Sequence, residues 1–390
     1  MENVKRVFLI VLDSCGIGGA TDAQAFGDDN PNTLRTIAAS KNFNAPNLAR
    51  LGLFNIDGVN CRPSEKNPRG SFARLIEASN GKDTTIGHWE IAGIISERPL
   101  PTYPDGFPPD VIAALEKSFG RKILCNKPYS GTQVIHDYGR THEATGALIV
   151  YTSADSVLQI AAHEKLVPVD ELYDFCRQAR EIMQGVHGVG RIIARPFVGA
   201  FPNYERTPRR HDFSLKPPAK TILDVLNEKN LATVGVGKIS DIFAGQGISR
   251  SLGVNVDNSD GMAKTLRLMD EDFRGLCFVN LVDFDMKFGH RRDLDGYAQA
   301  VTTFDAELGE FLNKMRPDDL LMITADHGCD PAAKGTDHTR ENVPLIVYGS
   351  RARAGVNLGT LPTFADIAAT LAEIFSVDLD TRGKSFLSRI

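Results

Sequence analysis

Three separate stretches of this chain run through β-type apolar residues and then turn abruptly to acid and histidine. VFLIVLD ends at Asp13, CFVNLVDFD carries on to Asp285 and His290, and LLMITADHG delivers Asp326 and His327, with TDHT adding His338. A strand that is apolar on both faces belongs inside a parallel sheet covered by helices. The polar residues that follow it fall at the C-terminal edge, where open α/β folds bind ligands. The pattern therefore predicts an α/β fold with a mostly parallel sheet flanked by helices, and it places the chemistry at that edge. Three aspartates and three histidines gathered there form a prohibitive charge cluster unless a cation neutralises them. Ordinary solvated groups on unrelated loops are the bland alternative, disfavoured because the pattern occurs three times.

The ligand mixture points to two divalent ions. Imidazole suits Zn, Mn, Fe or Ni, and carboxylate oxygen suits Mg or Mn. Six ligands exceed one tetrahedral site, whereas two ions roughly 3.5–4 Å apart clamp phosphoryl oxygens during in-line displacement. A phosphoryl or sulfuryl ester is the expected substrate. In GKDTTIGHWE, at 81–90, Thr84 and Thr85 occupy a Gly-bounded turn before a potential helix. There a hydroxyl can act as nucleophile while helix N–H groups receive phosphoryl oxygens. The same turn reads equally well as an N-cap formed by Asp83 or Thr84.

With 390 residues, 42% hydrophobic and 24% charged, the chain is long enough for a large domain plus a smaller one. A net charge of −5 argues against a nucleic-acid surface. No apolar run approaches a membrane span or a signal core, so a cytoplasmic protein is expected. The six cysteines form no CxxC pair and are expected to be reduced. Two proline-rich strings, at 96–110 and 195–218, bracket a middle segment. This organisation predicts a discontinuous catalytic core over 1–97 and 219–390 and an inserted α+β cap over 98–218. Within the insert, 146–156 and 190–196 read as strands. In the core, Val301, Phe304, Leu308, Phe311 and Met315 form one helical stripe, and Asp283 shares a strand face with Asp285.

The strings DSCGIG, GKDTTIGHWE, YTSADSVLQIAAHE, ARPFVG, RTPRRHD, GKISDIF, NLVDFDMKFGHRRD and TADHGCDPAAKGTDHTRENVP closely resemble the phosphopentomutases, a family of the alkaline phosphatase superfamily. The resemblance runs essentially end to end. It implies an alkaline-phosphatase-like core and an intramolecular phosphotransferase that interconverts α-D-ribose 1-phosphate, or its 2-deoxy form, with the 5-phosphate. One metal would be held by Asp13, Asp326, His327 and the nucleophile, the other by Asp285, His290 and His338. The implied nucleophile is Thr84, with Thr85 the runner-up.

The resemblance further implies two Mn²⁺ per chain and glucose 1,6-bisphosphate or ribose 1,5-bisphosphate as activator. Arg191 and Lys238, with Arg206 and Arg210 as further candidates, would anchor the remote phosphate, and Asp155 the sugar hydroxyls. The partners are then small sugar phosphates, with neither nucleic acid nor membrane involved and a monomer sufficing. The chain departs from the family's spelling at Thr85-Ile86 and at Cys329, where asparagine is expected. Another phosphomutase or a phosphomonoesterase of the superfamily is the alternative.

Overall fold

The computed structural model describes residues 4–390. In chain order the strands are β1 (Arg6–Leu12), β2 (Ser71–Leu75), β3 (Ile123–Pro128), β4 (Leu148–Thr152), β5 (Val157–His163), β6 (Arg191–Ala200), β7 (Asn203–Arg206), β8 (His211–Ser214), β9 (Ala232–Val236), β10 (Arg250–Ser251), β11 (Gly275–Leu281), β12 (Asp319–Thr324), β13 (Val343–Tyr348) and β14 (Asn357–Leu361). The described chain divides into two compact units, one reaching Pro99 and resuming with Pro217–Ile390, the other Leu100–Lys216.

The first unit is built on an eight-stranded sheet ordered β10-β9-β11-β1-β12-β13-β2-β14. The strands from β10 to β12 run parallel, and only β13 opposes both its neighbours. The three apolar runs are its centre: β1, β11 and β12 are buried along their whole length. Leu12 pairs with Leu281 and Val11 with Thr324, so the three strands stop at one level. Everything that follows them starts from a common edge.

The helix Leu294–Lys314 buries Val301, Phe304, Leu308 and Phe311 at the three-to-four spacing that keeps a helical face on its neighbours. Phe311 meets Phe8 of β1 edge to face at 5.3 Å. Met315, included in the stripe by spacing, is instead the half-buried residue where the backbone turns extended. The Arg316–Pro317 pair after it cannot continue a helix.

In the second unit a six-stranded sheet runs β3-β4-β5-β6-β7, with β8 also paired to β6. One face carries Leu148, Val150, Leu158, Ile160 and Ile192 against the helices Pro109–Phe119 and Val169–Ile182. The other carries Ile149, Tyr151 and Phe197 against the helix Gln133–Thr145. This alternation is the period of two expected for strands covered on both faces. Among the described residues no helix is long and apolar enough to cross a membrane.

Candidate active site

Just past β1, the chain turns through Ser14 at φ 70°, and the Ser14 N–H donates to Asp326 Oδ1 at 3.0 Å. That sharp turn presents Asp13 to the residues leaving β12. His327 Nε2 lies 3.3 Å from Asp326 Oδ2 and 3.5 Å from Asp13 Oδ1. Asp13, Asp326 and His327 thus bring ligand atoms within 4.8 Å of one another, all buried.

Thr84 opens the helix Thr84–Ile91, capped by Asp83 Oδ1, which accepts from Thr85 N–H at 3.0 Å and Ile86 N–H at 3.1 Å. The Thr84 hydroxyl is 3.1 Å from His327 Nε2. Gly87 permits this approach: a Cβ there would sit 2.2 Å from the Asp326 carbonyl oxygen, so any other residue would lift the helix off the strand end.

Beside this group lie Asp285, His290 and His338. Asp285 Oδ2 is 3.2 Å from His290 Nε2, Asp285 Oδ1 is 3.4 Å from His338 Nε2, and the two histidine nitrogens are 3.1 Å apart. Each ring is oriented from behind: His290 Nδ1 donates to the Thr336 carbonyl at 2.6 Å and His338 Nδ1 to the Lys82 carbonyl at 2.9 Å. A carbonyl only accepts, so each Nδ1 carries a proton and each Nε2 is the atom turned to Asp285. The His327 and His338 rings stack at 3.9 Å, bringing the two groups side by side.

Asp283 and Asp285 do not share a strand face as their spacing suggests. β11 closes at Leu281 and a π-helical turn, Phe284–Gly289, begins. Asp283 turns away to Lys287 at 2.9 Å and the Asn258 N–H at 3.2 Å. The Cys329 thiol comes within ligand reach of Asp285 and His290 and faces the Asp337 carbonyl at 3.8 Å.

The charges show what the cluster requires. Burial, then repulsion from Asp326 and Asp285, holds the Asp13 carboxyl well above its ordinary range. Burial opposes ionisation of Asp285, but the charges of His338 and hydrogen bonds from His290 and His338 outweigh it and bring the carboxyl well down. His338 resists burial through Asp285 and is pushed up to about 10, while burial takes His327 down to about 4. Asp13 Oδ1 and Asp326 Oδ2 are buried without a hydrogen-bond partner. Orphaned carboxylate oxygens facing imidazole nitrogens are a donor set suited to hard or borderline divalent cations.

Several supporting residues escape sequence reasoning. Arg340 is 2% exposed and reaches Glu77 Oε2 and the Gly81 carbonyl, both at 2.6 Å, and Asp22 at 2.9 Å, stapling the turn before Thr84 to the loop carrying His338. Glu341 accepts from Gly18 N–H and from Thr33 and Thr339 hydroxyls. Asn280 donates to Asp13 Oδ2 at 2.7 Å. A polar residue within the otherwise apolar CFVNLV run was the one available signal for Asn280.

Of the candidate substrate residues, Lys238 lies near enough to Asp13 that its charge opposes the rise in that carboxyl. The others share the second unit. Arg191 lies 3.5 Å from both Asp155 Oδ2 and Asp212 Oδ2, and Arg210 is 2.6 Å from Asp212. Arg206 comes near the buried Tyr151 hydroxyl, and a Cβ on Gly131 would fall 2.9 Å from that hydroxyl and 3.3 Å from Arg206 Nη1.

Residues 5–379 match the family model of the Metalloenzyme superfamily. A phosphopentomutase of Lachnoclostridium phytofermentans is 56% identical over 98% of both chains. One of Thermotoga maritima is 50% identical over 99% of both. The solved structure of the PH0037 protein from Pyrococcus horikoshii aligns with 96% of this chain and 98% of its own, at 14% identity and a TM-score of 0.48.

Proposed function

The chain belongs to the phosphopentomutase family of the Metalloenzyme superfamily, and we propose that it interconverts α-D-ribose 1-phosphate and ribose 5-phosphate, with the 2-deoxyribose pair, through a phosphorylated Thr84. It is a phosphomutase of the isomerase class. The observation that carries the reading is the Thr84 hydroxyl at a helix N-terminus, 3.1 Å from His327 and beside the Asp13/Asp326/His327 group.

Asp13, Asp326 and His327 would hold one ion, and Asp285, His290 and His338 the other, with Mn²⁺ the metal we favour. When bound, two divalent ions supply charge neutralisation at the phosphoryl oxygens and at the Thr84 hydroxyl. Thr84 then gives its phosphoryl group to a free sugar hydroxyl: the bond from Thr84 Oγ1 to phosphorus breaks as the sugar oxygen bonds phosphorus and loses its proton. The 1,5-bisphosphate reorients and its other phosphoryl returns to Thr84 Oγ1, the sugar oxygen it leaves regaining a proton. N–H groups at the start of Thr84–Ile91 stabilise the transferred oxygens.

A resting hydroxyl must be phosphorylated first, which is the task assigned to glucose 1,6-bisphosphate or ribose 1,5-bisphosphate. Arg191, Arg206, Arg210 and Lys238 would serve the phosphate that does not react, arginine matching it bidentately and lysine as a point charge, with Asp155 on sugar hydroxyls. Water must be kept from the phosphothreonine, which would otherwise hydrolyse. The six unpaired cysteines suit a reducing, cytoplasmic setting.

Incubation with glucose 1,6-bisphosphate, digestion and mass spectrometry should give one phosphopeptide modified at Thr84. Thr84→Ala should abolish both labelling and transfer while the ions still bind. Phosphate on Thr85, with Thr84→Ala active, would overturn the assignment.

A further inference from the structure

Within the Asp13/Asp326 pair each carboxylate has one oxygen held by the protein and one left bare. Asp13 Oδ2 accepts from Asn280 Nδ2 at 2.7 Å and Asp326 Oδ1 from Ser14 N–H at 3.0 Å. The bare oxygens, Asp13 Oδ1 and Asp326 Oδ2, are the ones that face His327. A single buried histidine joins the two sides. His88 Nε2 lies 3.3 Å from Asn280 Nδ2, and His88 Nδ1 lies 3.1 Å from Asp326 Oδ2 and 2.8 Å from the Thr84 carbonyl.

The protons can be assigned from chemistry. A carboxylate that ligates a cation can only accept, so the Asn280 amide nitrogen must point at Asp13, and the same nitrogen then donates to His88 Nε2. His88 therefore carries its proton on Nδ1 and donates it to the Thr84 carbonyl at 2.8 Å. All four side chains, Asp13, His88, Asn280 and Asp326, have no solvent exposure, and Phe278 stacks on the His88 ring at 5.7 Å.

We propose that His88 and Asn280 are positioning residues, a hydrogen-bonded bridge that selects which oxygen of Asp13 faces the ion and ties that choice to the backbone of Thr84. The bridge sets the affinity of one ion position and leaves the Asp285/His290/His338 position alone. This rests on the two-ion reading above. Partners that orient metal ligands are typically worth about 10–100-fold in affinity.

The test is Mn²⁺ titration of the chelator-stripped full chain by calorimetry and by electron paramagnetic resonance. It compares the parent with Asn280→Leu, which keeps the size and deletes the donor, and His88→Phe, which keeps a stacking ring and deletes both nitrogens. Each variant should weaken one of two binding steps by about 10–100-fold and leave the other unchanged. Lost kcat should return as Mn²⁺ is raised, which a merely misfolded site would not do. Should Asn280→Leu fail to fold, Asn280→Ser is read in its place. Parent-like affinity at both steps in folded variants would overturn the bridge, as would weakening of both steps alike. A parent chain that binds fewer than two ions would instead overturn the two-ion reading.

Discussion

Glu341 is the residue on which the loops around the ligand groups converge, and it is buried there with four hydrogen-bond donors from Gly18, Thr33 and Thr339. Burial outweighs those donors and pushes its carboxyl up to about 7 from an ordinary 4.5. The folded state therefore holds a proton that the unfolded chain has already released. Glu341 costs stability as pH rises from about 4.5 to about 7, and the loss levels off above that. Glu341→Gln should flatten the pH dependence of the urea midpoint across this window, and an unchanged slope would count against the assignment. At this scale the six ligand candidates were legible because acid and histidine stand out after apolar runs. His88, Glu341 and Arg340 were not, since their partners are far away in sequence and only the folded chain brings them together.

Among the elements, the three central strands were legible from composition alone, because continuous apolar runs leave few alternatives to a parallel sheet covered on both faces. What β11 does after Leu281 was not: a π-helical turn adds a residue per turn and rotates Asp283 away from Asp285, which strand periodicity cannot foresee. In the insert, β3 and β5 lay outside the two expected strands, and the short strands β7 and β8 escaped notice because paired edges of four residues carry too little pattern. The loop between β12 and β13 depends on Arg340, whose guanidinium neutralises the buried Glu77. Arg340→Met would leave that carboxylate unpaired and should cost about 3–5 kcal/mol, measured by denaturant unfolding. It should also loosen the turn before Thr84 and lower kcat. A stability loss with kcat unchanged would show that the staple does not reach the nucleophile.

For the whole molecule, the acid and histidine cluster is a liability that cations relieve. Ions that bind only the folded chain at 100 times their Kd should add about 2.7 kcal/mol per site. Chelator should therefore lower the melting temperature of the parent, and to a smaller extent that of a Asp285→Asn variant that has lost one position. The family resemblance carried the substrate class and the activator, which no distance in the structure supplies. The division at Pro99 and Pro217 gives each unit its own sheet and core. Phosphoryl transfer in this chain runs through an enzyme-bound phosphate and returns to the sugar. Phosphorus NMR of ribose 1-phosphate with Mn²⁺, with and without catalytic glucose 1,6-bisphosphate, tests it most directly. Ribose 5-phosphate should form, and faster with the bisphosphate; inorganic phosphate as the sole product would contradict transfer back to the sugar and make this chain a phosphatase.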